Sequence, residues 1–237
     1  MKQELKNALF KYVINHKIYH LQEQEKDFIE MNEFFNNGIS CFDRPDGFCQ
    51  KENSVLMIEH FEFDSSRNSS KGSKNRQEEA RVSRQINNSD NVAIIHDEIH
   101  CEYAIHNYIE NAKKFFDAHY RNLKEYREHL EHESIINSTT KQVKTLFCIE
   151  DVTLLGNFDI NKNKPIILLD CEDFIEHIKH CTELDYILCF SSFGSETYTW
   201  FASLKHILEY KNFAYKKEEL NIADFQPKIL STSIIID

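Results

Sequence analysis

Glycine and proline are scarce in this chain, since 237 residues contain only five glycines and three prolines. Long flexible linkers are therefore excluded, because such segments are usually rich in these residues. No apolar run approaches the roughly 20 residues that a membrane helix requires. The N-terminal segment MKQELKNALFKYVINHK also lacks the continuous apolar core of a signal peptide. These absences predict a cytoplasmic protein with no membrane segment.

The cysteines lack the spacing of a metal or disulfide framework. Their number is odd, and no two are spaced as CxxC; they are Cys41, Cys49, Cys101, Cys148, Cys171, Cys181 and Cys189. This pattern argues against a zinc ribbon and against a secreted disulfide scaffold. It predicts reduced, mostly buried thiols.

Several enzyme signatures are also missing. The chain has no P-loop, no GxGxxG and no GxSxG, which argues against a nucleotide-cradling fold and a serine hydrolase. The segment HDEIH at residues 96–100 has aspartate where the zinc-protease motif HExxH has glutamate. A metalloprotease is therefore not expected.

Positive charge is in deficit, with a formal net charge of -11. Residues 65–84 differ: they carry six basic and two acidic residues, a net charge of +4, which leaves -15 for the rest of the chain. A local basic segment is what a nucleic-acid backbone requires; the alternative is a solvated loop that runs into a helix. The basic residues are Arg67, Lys71, Lys74, Arg76, Arg81 and Arg84.

Apolar periodicity predicts one domain over residues 1–237, of α/β or α+β class, with a mixed central sheet flanked by helices. Helical spacing predicts one long or two shorter helices within residues 3–37 and a long helix over residues 98–133. Residues 144–237 form a C-terminal α/β part. The expected strands are Val55–Phe63, Lys144–Ile149, Pro165–Leu169, Asp185–Phe190, Thr197–Ala202 and the final KILSTSIIID. Their near-continuous apolar runs predict a sheet covered on both faces.

The segment RPDGFCQKENSVLMIEHFEFD at residues 44–64 places many acidic groups close together. If its two strands form a hairpin, Asp46 and Glu59 meet and offer carboxylate oxygens to a Mg²⁺ ion. Strand alternation puts Glu59, Phe61 and Phe63 on one face. The other face carries the set HxExD, formed by His60, Glu62 and Asp64, which is either a second arrangement able to bind a divalent metal or a solvent-exposed surface.

The order of helix, strand, Pro45-Asp46 and an apolar strand with Glu59 resembles the PD-(D/E)XK nuclease superfamily, over about residues 28–85. The resemblance implies a restriction-endonuclease-like core, with Asp46 and Glu59 as Mg²⁺ ligands and Glu33 as an additional ligand. The family's lysine should stand two residues after the second acid, where this chain has Phe61. A substitute from Lys71 or Lys74 is then implied.

Two functions follow from this resemblance. One is a Mg²⁺-dependent nuclease that hydrolyses phosphodiester bonds, with residues 65–84 guiding the nucleic acid. The other is a catalytically inactive nuclease-like fold that acts as a protein-binding or assembly module. The charged helix over residues 98–133 offers such a module either a homodimer seam or a face that packs on its own sheet.

Three further groups invite functional interpretations, and each has a simpler one that the sequence favours. Glu150 and Asp151 either supplement the metal site or cap the following segment. Histidines at helical ligand spacing either bind a metal or lie on solvated helix faces; these are His129 with His132, and His177 with His180 and Cys181. The aromatic run Tyr198, Trp200 and Phe201 either stacks on bases or belongs to the core.

Overall fold

The computed structural model describes residues 2–13, 17–63, 95–100, 105–152, 158–159, 164–193, 196–215 and 229–234. The α-helices in these residues are α1 (Lys2–Tyr12), α2 (Glu25–Asn36), α3 (Ile105–Tyr120), α4 (Leu123–His132) and α5 (Glu172–Ile178). Turns of 3-10 helix lie at Gln22–Gln24, Leu168–Asp170 and Leu204–Asn212. None of the described helices is both long and apolar enough to cross a membrane.

The described strands are β1 (Ile18–Tyr19), β2 (Ser40–Cys41), β3 (Gly47–Lys51), β4 (Ser54–Phe63), β5 (Ile95–His100), β6 (Gln142–Asp151), β7 (Phe158–Asp159), β8 (Lys164–Pro165), β9 (Tyr186–Phe193), β10 (Glu196–Ser203) and β11 (Ile229–Ile234). Seven of them form a mixed sheet in the order β1-β10-β9-β6-β4-β3-β2. Strands β4, β6 and β9 are parallel, whereas β3 and β10 run antiparallel to their neighbours β4 and β9. The predicted α/β class, with a mixed sheet flanked by helices, is confirmed.

Both faces of the sheet are covered, as the apolar strands predict. On one face, called the α1 face, α1 and α2 pack through residues such as Leu5 and Met31 on Leu56 and Ile58 of β4. On the opposite face, called the α3 face, a second core contains Phe116 of α3 with side chains of β4 and β6. Because alternate residues of β4 enter different cores, this strand has almost no exposed residue.

Two predicted elements are wrong. The helix expected over residues 98–133 does not include residues 98–100, because Ile95–His100 pairs as strand β5 with β11; the described helix runs from Ile105. The helix is also interrupted at Arg121 and Asn122, where the Asn122 N–H bonds to His119 three residues earlier rather than four. The strand expected at Pro165–Leu169 is instead the short β8 followed by a 3-10 turn, in which the Asp170 carboxylate accepts the Ile167 N–H at 3.1 Å.

Other expectations hold where the structure can be described. The N-terminal periodicity corresponds to two helices, α1 and α2, rather than one. The described cysteines are free thiols, and four of them are buried, namely Cys49, Cys148, Cys171 and Cys189. The basic segment at residues 65–84 and all of its predicted site residues lie outside the described residues.

Candidate active site

The β3–β4 hairpin brings Asp46 and Glu59 together. Gly47 stands opposite Ile58 in the antiparallel register, so the next pair outward is Asp46 and Glu59. The Asp46 N–H donates to Glu59 Oε2 at 3.4 Å. Both residues are buried, with 6% and 5% of their surfaces exposed. The hairpin expected from the sequence is present, and it brings Asp46 and Glu59 into contact through the backbone N–H of Asp46.

The electrostatics of Asp46 reflect this crowding. Burial and the neighbouring charge of Glu59 raise the pKa of Asp46 to about 6, although the His60 N–H, which donates to Asp46 Oδ2 at 2.9 Å, opposes the shift. Burial and a like charge both disfavour a second carboxylate charge at this place. The pair therefore stores an unfavourable interaction that a cation would relieve.

Glu59 is held from the opposite side by two helices. Tyr126 of α4 donates its hydroxyl to Glu59 Oε1 at 2.9 Å, and His119 of α3 donates Nδ1 to the same oxygen at 2.7 Å. Burial, and next the charge of Glu59, raise the pKa of Tyr126 to about 12. The phenol therefore stays protonated at neutral pH and keeps Glu59 in place.

Replacing Tyr126 with phenylalanine is expected to lower the free energy of unfolding by roughly 1–3 kcal/mol, the range for losing a buried hydrogen bond to a charged group. The ring and its packing remain, so the loss reports the hydroxyl alone. Urea unfolding of the two proteins measures it.

Tyr120→Phe is the matched control. Its partly buried hydroxyl accepts a long, 3.4 Å hydrogen bond from the Glu183 N–H and lies away from Glu59, so a smaller loss is expected. Equal losses in the two variants would show that the Tyr126 hydroxyl has no special role at Glu59.

Phe61 fills the position where the resemblance expects a lysine. It is buried and stacks on the His119 ring at 4.4 Å with an interplanar angle of 12°. It also meets Phe147 edge-on at 5.6 Å. The strand therefore supplies no ammonium group here, and the polar groups next to the Glu59 carboxylate include the imidazole of His119 and the hydroxyl of Tyr126.

His119 and Tyr126 are the site residues that sequence reasoning missed. They lie 60 and 67 residues from Glu59 in the chain, and His119 is one of twelve histidines. On the continuous helix that the sequence predicts, a spacing of seven would place both residues on one face. The interruption at Arg121 and Asn122 puts them on different helices, so no local signal shows that both meet Glu59.

Glu33 is not brought to this pair. It forms an ion pair with Lys51 at the opposite end of β3 from Asp46. Five residues of extended chain separate Lys51 from Asp46, a distance of roughly 16 Å. The structure therefore places the predicted third ligand away from the carboxylates. Lys71 and Lys74, the predicted substitute lysines, lie outside the described residues.

A second polar cluster lies on the α1 face. His60 donates Nε2 to Glu150 Oε2 at 3.2 Å, and Lys11 lies 3.4 Å from the other oxygen. Burial raises the pKa of Glu150, but hydrogen bonds with His60 and Tyr12 and the charge of Lys11 bring it below its ordinary value. The cluster fixes α1 to the sheet.

The structure changes two expectations. The face of His60, Glu62 and Asp64 is exposed only in part, because His60 is buried whereas Glu62 is exposed. Asp64 lies outside the described residues.

Glu150 and Asp151 both belong to β6, and the Glu150 carboxylate contacts His60 and Lys11 rather than a following segment. Residues 153–157 lie outside the described residues. Asp151 lies near Tyr108 on the α3 face, where burial and then the charge of Asp151 raise the pKa of the phenol.

The other histidine sets are occupied or separated. His129 donates Nδ1 to the Arg44 carbonyl at 2.8 Å, and His177 contacts Asp117 at 2.7 Å. His96 and His100 lie on strand β5, where four residues span roughly 13 Å. On a helix the two residues would lie on adjacent turns, whereas on this strand they are far apart.

Asp46 and Glu59 offer the carboxylate oxygens that Mg²⁺ prefers, but they are only two side chains. Within the described ranges, no group of three or more His, Cys, Asp or Glu side chains is arranged to hold a metal ion. Mg²⁺ is, however, commonly bound by one or two carboxylates, with water and substrate phosphates completing the octahedron. The two buried carboxylates suit that second kind of site.

Comparison of the chain with protein-family models, curated proteins and solved structures finds no match. The chemistry assigned to the site therefore depends on the geometry of Asp46, Glu59 and the side chains around them.

Proposed function

We propose that this protein is a metal-dependent phosphodiesterase that acts on nucleic acid, with Asp46 and Glu59 as its Mg²⁺ ligands. The observation that carries the proposal is the buried contact between these residues, with the pKa of Asp46 raised to about 6. A buried carboxyl group whose pKa is strongly raised by burial and by a neighbouring charge is typical of a functional site. No described lysine or arginine forms an ion pair with either carboxylate.

The surrounding residues have separable roles in this proposal. Asp46 and Glu59 bind the ion, which when present neutralises phosphate charge and lowers the pKa of bound water. Tyr126 and His119 orient Glu59 through the bonds to its Oε1. The charge stabiliser expected of the family is assigned to Lys71 or Lys74, and the basic segment at residues 65–84 is assigned to the nucleic-acid backbone.

A second candidate function is favoured by Phe61. Its burial between His119 and Phe147 removes the lysine that the resemblance requires, and the oxygens of Glu59 already accept protein hydrogen bonds. The fold would then be an inactive relative of such nucleases, and its negative surface would bind a protein partner.

Calorimetric titration with Mg²⁺ and with Mn²⁺ separates the two functions. We expect the wild type to bind, and Asp46→Asn and Glu59→Gln each to weaken binding by more than about 100-fold, the upper range for losing an outer-shell partner. Each substitution removes a charge with little change in shape. Asp43→Asn is the matched control, because Asp43 is an exposed carboxylate three residues before Asp46, and it should leave binding unchanged.

The titration is repeated with a nuclease-resistant phosphorothioate oligonucleotide, since substrate phosphates complete many Mg²⁺ sites. Binding that requires Asp46 and Glu59 leads to cleavage assays on single- and double-stranded substrates. A wild type that binds no metal in either titration would contradict the phosphodiesterase and favour the inactive module.

A further inference from the structure

Three aromatic rings form a row at the edge of the sheet that lies away from the hairpin. Tyr19 of β1 stands beside Trp200 of β10 in a parallel pairing, and their ring centroids lie 5.6 Å apart at 27°. Tyr198 continues the row, with its centroid 5.6 Å from that of Trp200 at 16°. We call these three residues the aromatic row.

The aromatic row lies at the boundary of the α3-face core, because Trp200 packs against that core but stays partly exposed. Tyr19 is 38% exposed, and both Tyr198 and Trp200 are half-buried. Phe201, the neighbour that the sequence grouped with them, is fully buried on the α1 face. The core interpretation is therefore correct for Phe201 and correct in part for Trp200, which packs on the core of the α3 face. Tyr198 and Trp200 lie on the face opposite to Phe201, and both are partly exposed.

One end of the row carries a positive charge. The Lys17 ammonium lies 4.6 Å from the centroid of the Tyr19 ring, and Lys17 itself is exposed. A cation over an exposed ring is a weak contact, and a lysine stem is flexible. The ammonium can therefore leave the ring for a phosphate at little cost.

We propose that the aromatic row binds single-stranded nucleic acid, with a base stacked on Tyr19 and Lys17 bound to the adjoining phosphate. Near-parallel rings offer flat surfaces of the kind on which bases stack, and base stacking is stronger than the lysine contact that it replaces. The identification of the ligand as nucleic acid rests on the proposed function. The arrangement of the three rings is observed independently of that function.

The chemistry at the end of the row favours this ligand over an apolar protein surface. A protein partner that buried Tyr19 would also bury the Lys17 ammonium and would have to supply an opposite charge. A nucleotide supplies both parts together, since every base is joined to a phosphate. The row lies on the same sheet face as Glu59, because Ala202, two residues from Trp200, belongs to the core of the α3 face.

Trp200 is the only tryptophan of the chain, so its fluorescence reports directly on the aromatic row. The full chain is titrated in EDTA with oligo(dT) and with oligo(U) of about 12 nucleotides, within the usual range for one single-strand site. We expect saturable quenching with one or both oligomers, and their relative affinities distinguish DNA from RNA. Duplex DNA, whose bases are already stacked, should not quench the signal.

Two variants test the assigned contacts. Tyr19→Ala should weaken binding roughly 10-fold, in the range reported for losing one base-stacking ring. Lys17→Gln should make the dependence of log K on log salt less steep by about 0.7, the value for one phosphate contact on a single strand. Phe213→Ala is the control, because Phe213 is 61% exposed but is not part of the row.

Three outcomes would overturn the proposal: no quenching by either oligomer, equal weakening by Phe213→Ala, or quenching that Tyr19→Ala leaves unchanged. A concentration-dependent dimer that Tyr19→Ala abolishes would assign the row to a second copy of the chain instead. Asp46→Asn separates the two proposals. It should retain oligonucleotide binding at the row even if the carboxylate pair binds no metal.

Discussion

Asp46→Asn is expected to stabilise the protein at neutral pH while it removes Mg²⁺ binding. The pKa of Asp46 is raised from 3.8 to about 6 by burial and by the charge of Glu59. A difference of this size corresponds to roughly 2–3 kcal/mol between the protonated and charged forms. Asparagine keeps an oxygen for the His60 N–H and carries no charge beside Glu59, so most of this free energy should be regained.

The sign of the pH dependence follows from the direction of that shift. The folded protein binds the Asp46 proton more tightly than the unfolded chain, so the stability contributed by this proton is fully present below pH 3.8 and is lost as the pH rises through about 6. The gain from Asp46→Asn should therefore be small near pH 4 and reach its full size above pH 7. Urea unfolding at both pH values measures the difference between variant and wild type.

Asp43→Asn again provides the control, since it removes one exposed charge from the same turn and should change stability by less than about 0.5 kcal/mol. Added Mg²⁺ should stabilise the wild type at neutral pH and leave Asp46→Asn unaffected, because only the wild type has both ligands. A loss of stability in Asp46→Asn at pH 8 would show that the two carboxylates are not in unfavourable contact.

Phe116→Ala is expected to lower the free energy of unfolding by about 3–5 kcal/mol, the range for removing a buried phenylalanine ring. Phe116 is fully buried and lies at the centre of an aromatic cluster. Its ring meets Phe147 of β6 at 5.4 Å and Phe174 of α5 at 5.8 Å, both edge-on. Its removal leaves a cavity between α3, α5 and β6. None of these elements can move alone to fill that cavity.

The same substitution tests the position of α3, because this helix also carries His119 to Glu59. Chemical unfolding gives the loss, and Phe115→Ala is the control, since Phe115 is only partly buried at the edge of the same core. A markedly smaller loss is expected for the control. A loss below about 1 kcal/mol for Phe116→Ala would contradict the packing of α3 on β6.

Phe116 and Asp46 affect stability in opposite directions. Phe116 belongs to a core in which each contact favours the fold, whereas the charge of Asp46 opposes it. Proteins retain such unfavourable groups where function requires them, and removing them commonly raises stability at the expense of activity. A stabilised Asp46→Asn variant without metal binding would therefore be evidence for function at the carboxylate pair.

Local pattern was enough to predict much of the sheet. The apolar runs of β4, β6, β9 and β10 are long, and their alternation shows that both faces are covered. The short connection between Asp46 and Glu59 likewise predicts the hairpin that joins them, because few residues separate the two strands. Each of these features depends on residues that are close in the chain.

The sequence by itself thus indicated an α/β or α+β fold with a mixed sheet, mostly buried thiols, and a connection compatible with a hairpin in which Asp46 meets Glu59. Only the tertiary structure placed His119 and Tyr126 on Glu59, buried Phe61 where a lysine was expected, and paired Ile95–His100 with β11 as a strand. Apolar periodicity indicates which face of a helix or strand is buried, but it does not indicate which distant element covers that face. Contacts across 60 or more residues are decided by the path of the chain, and that path is set by the packing of the whole core.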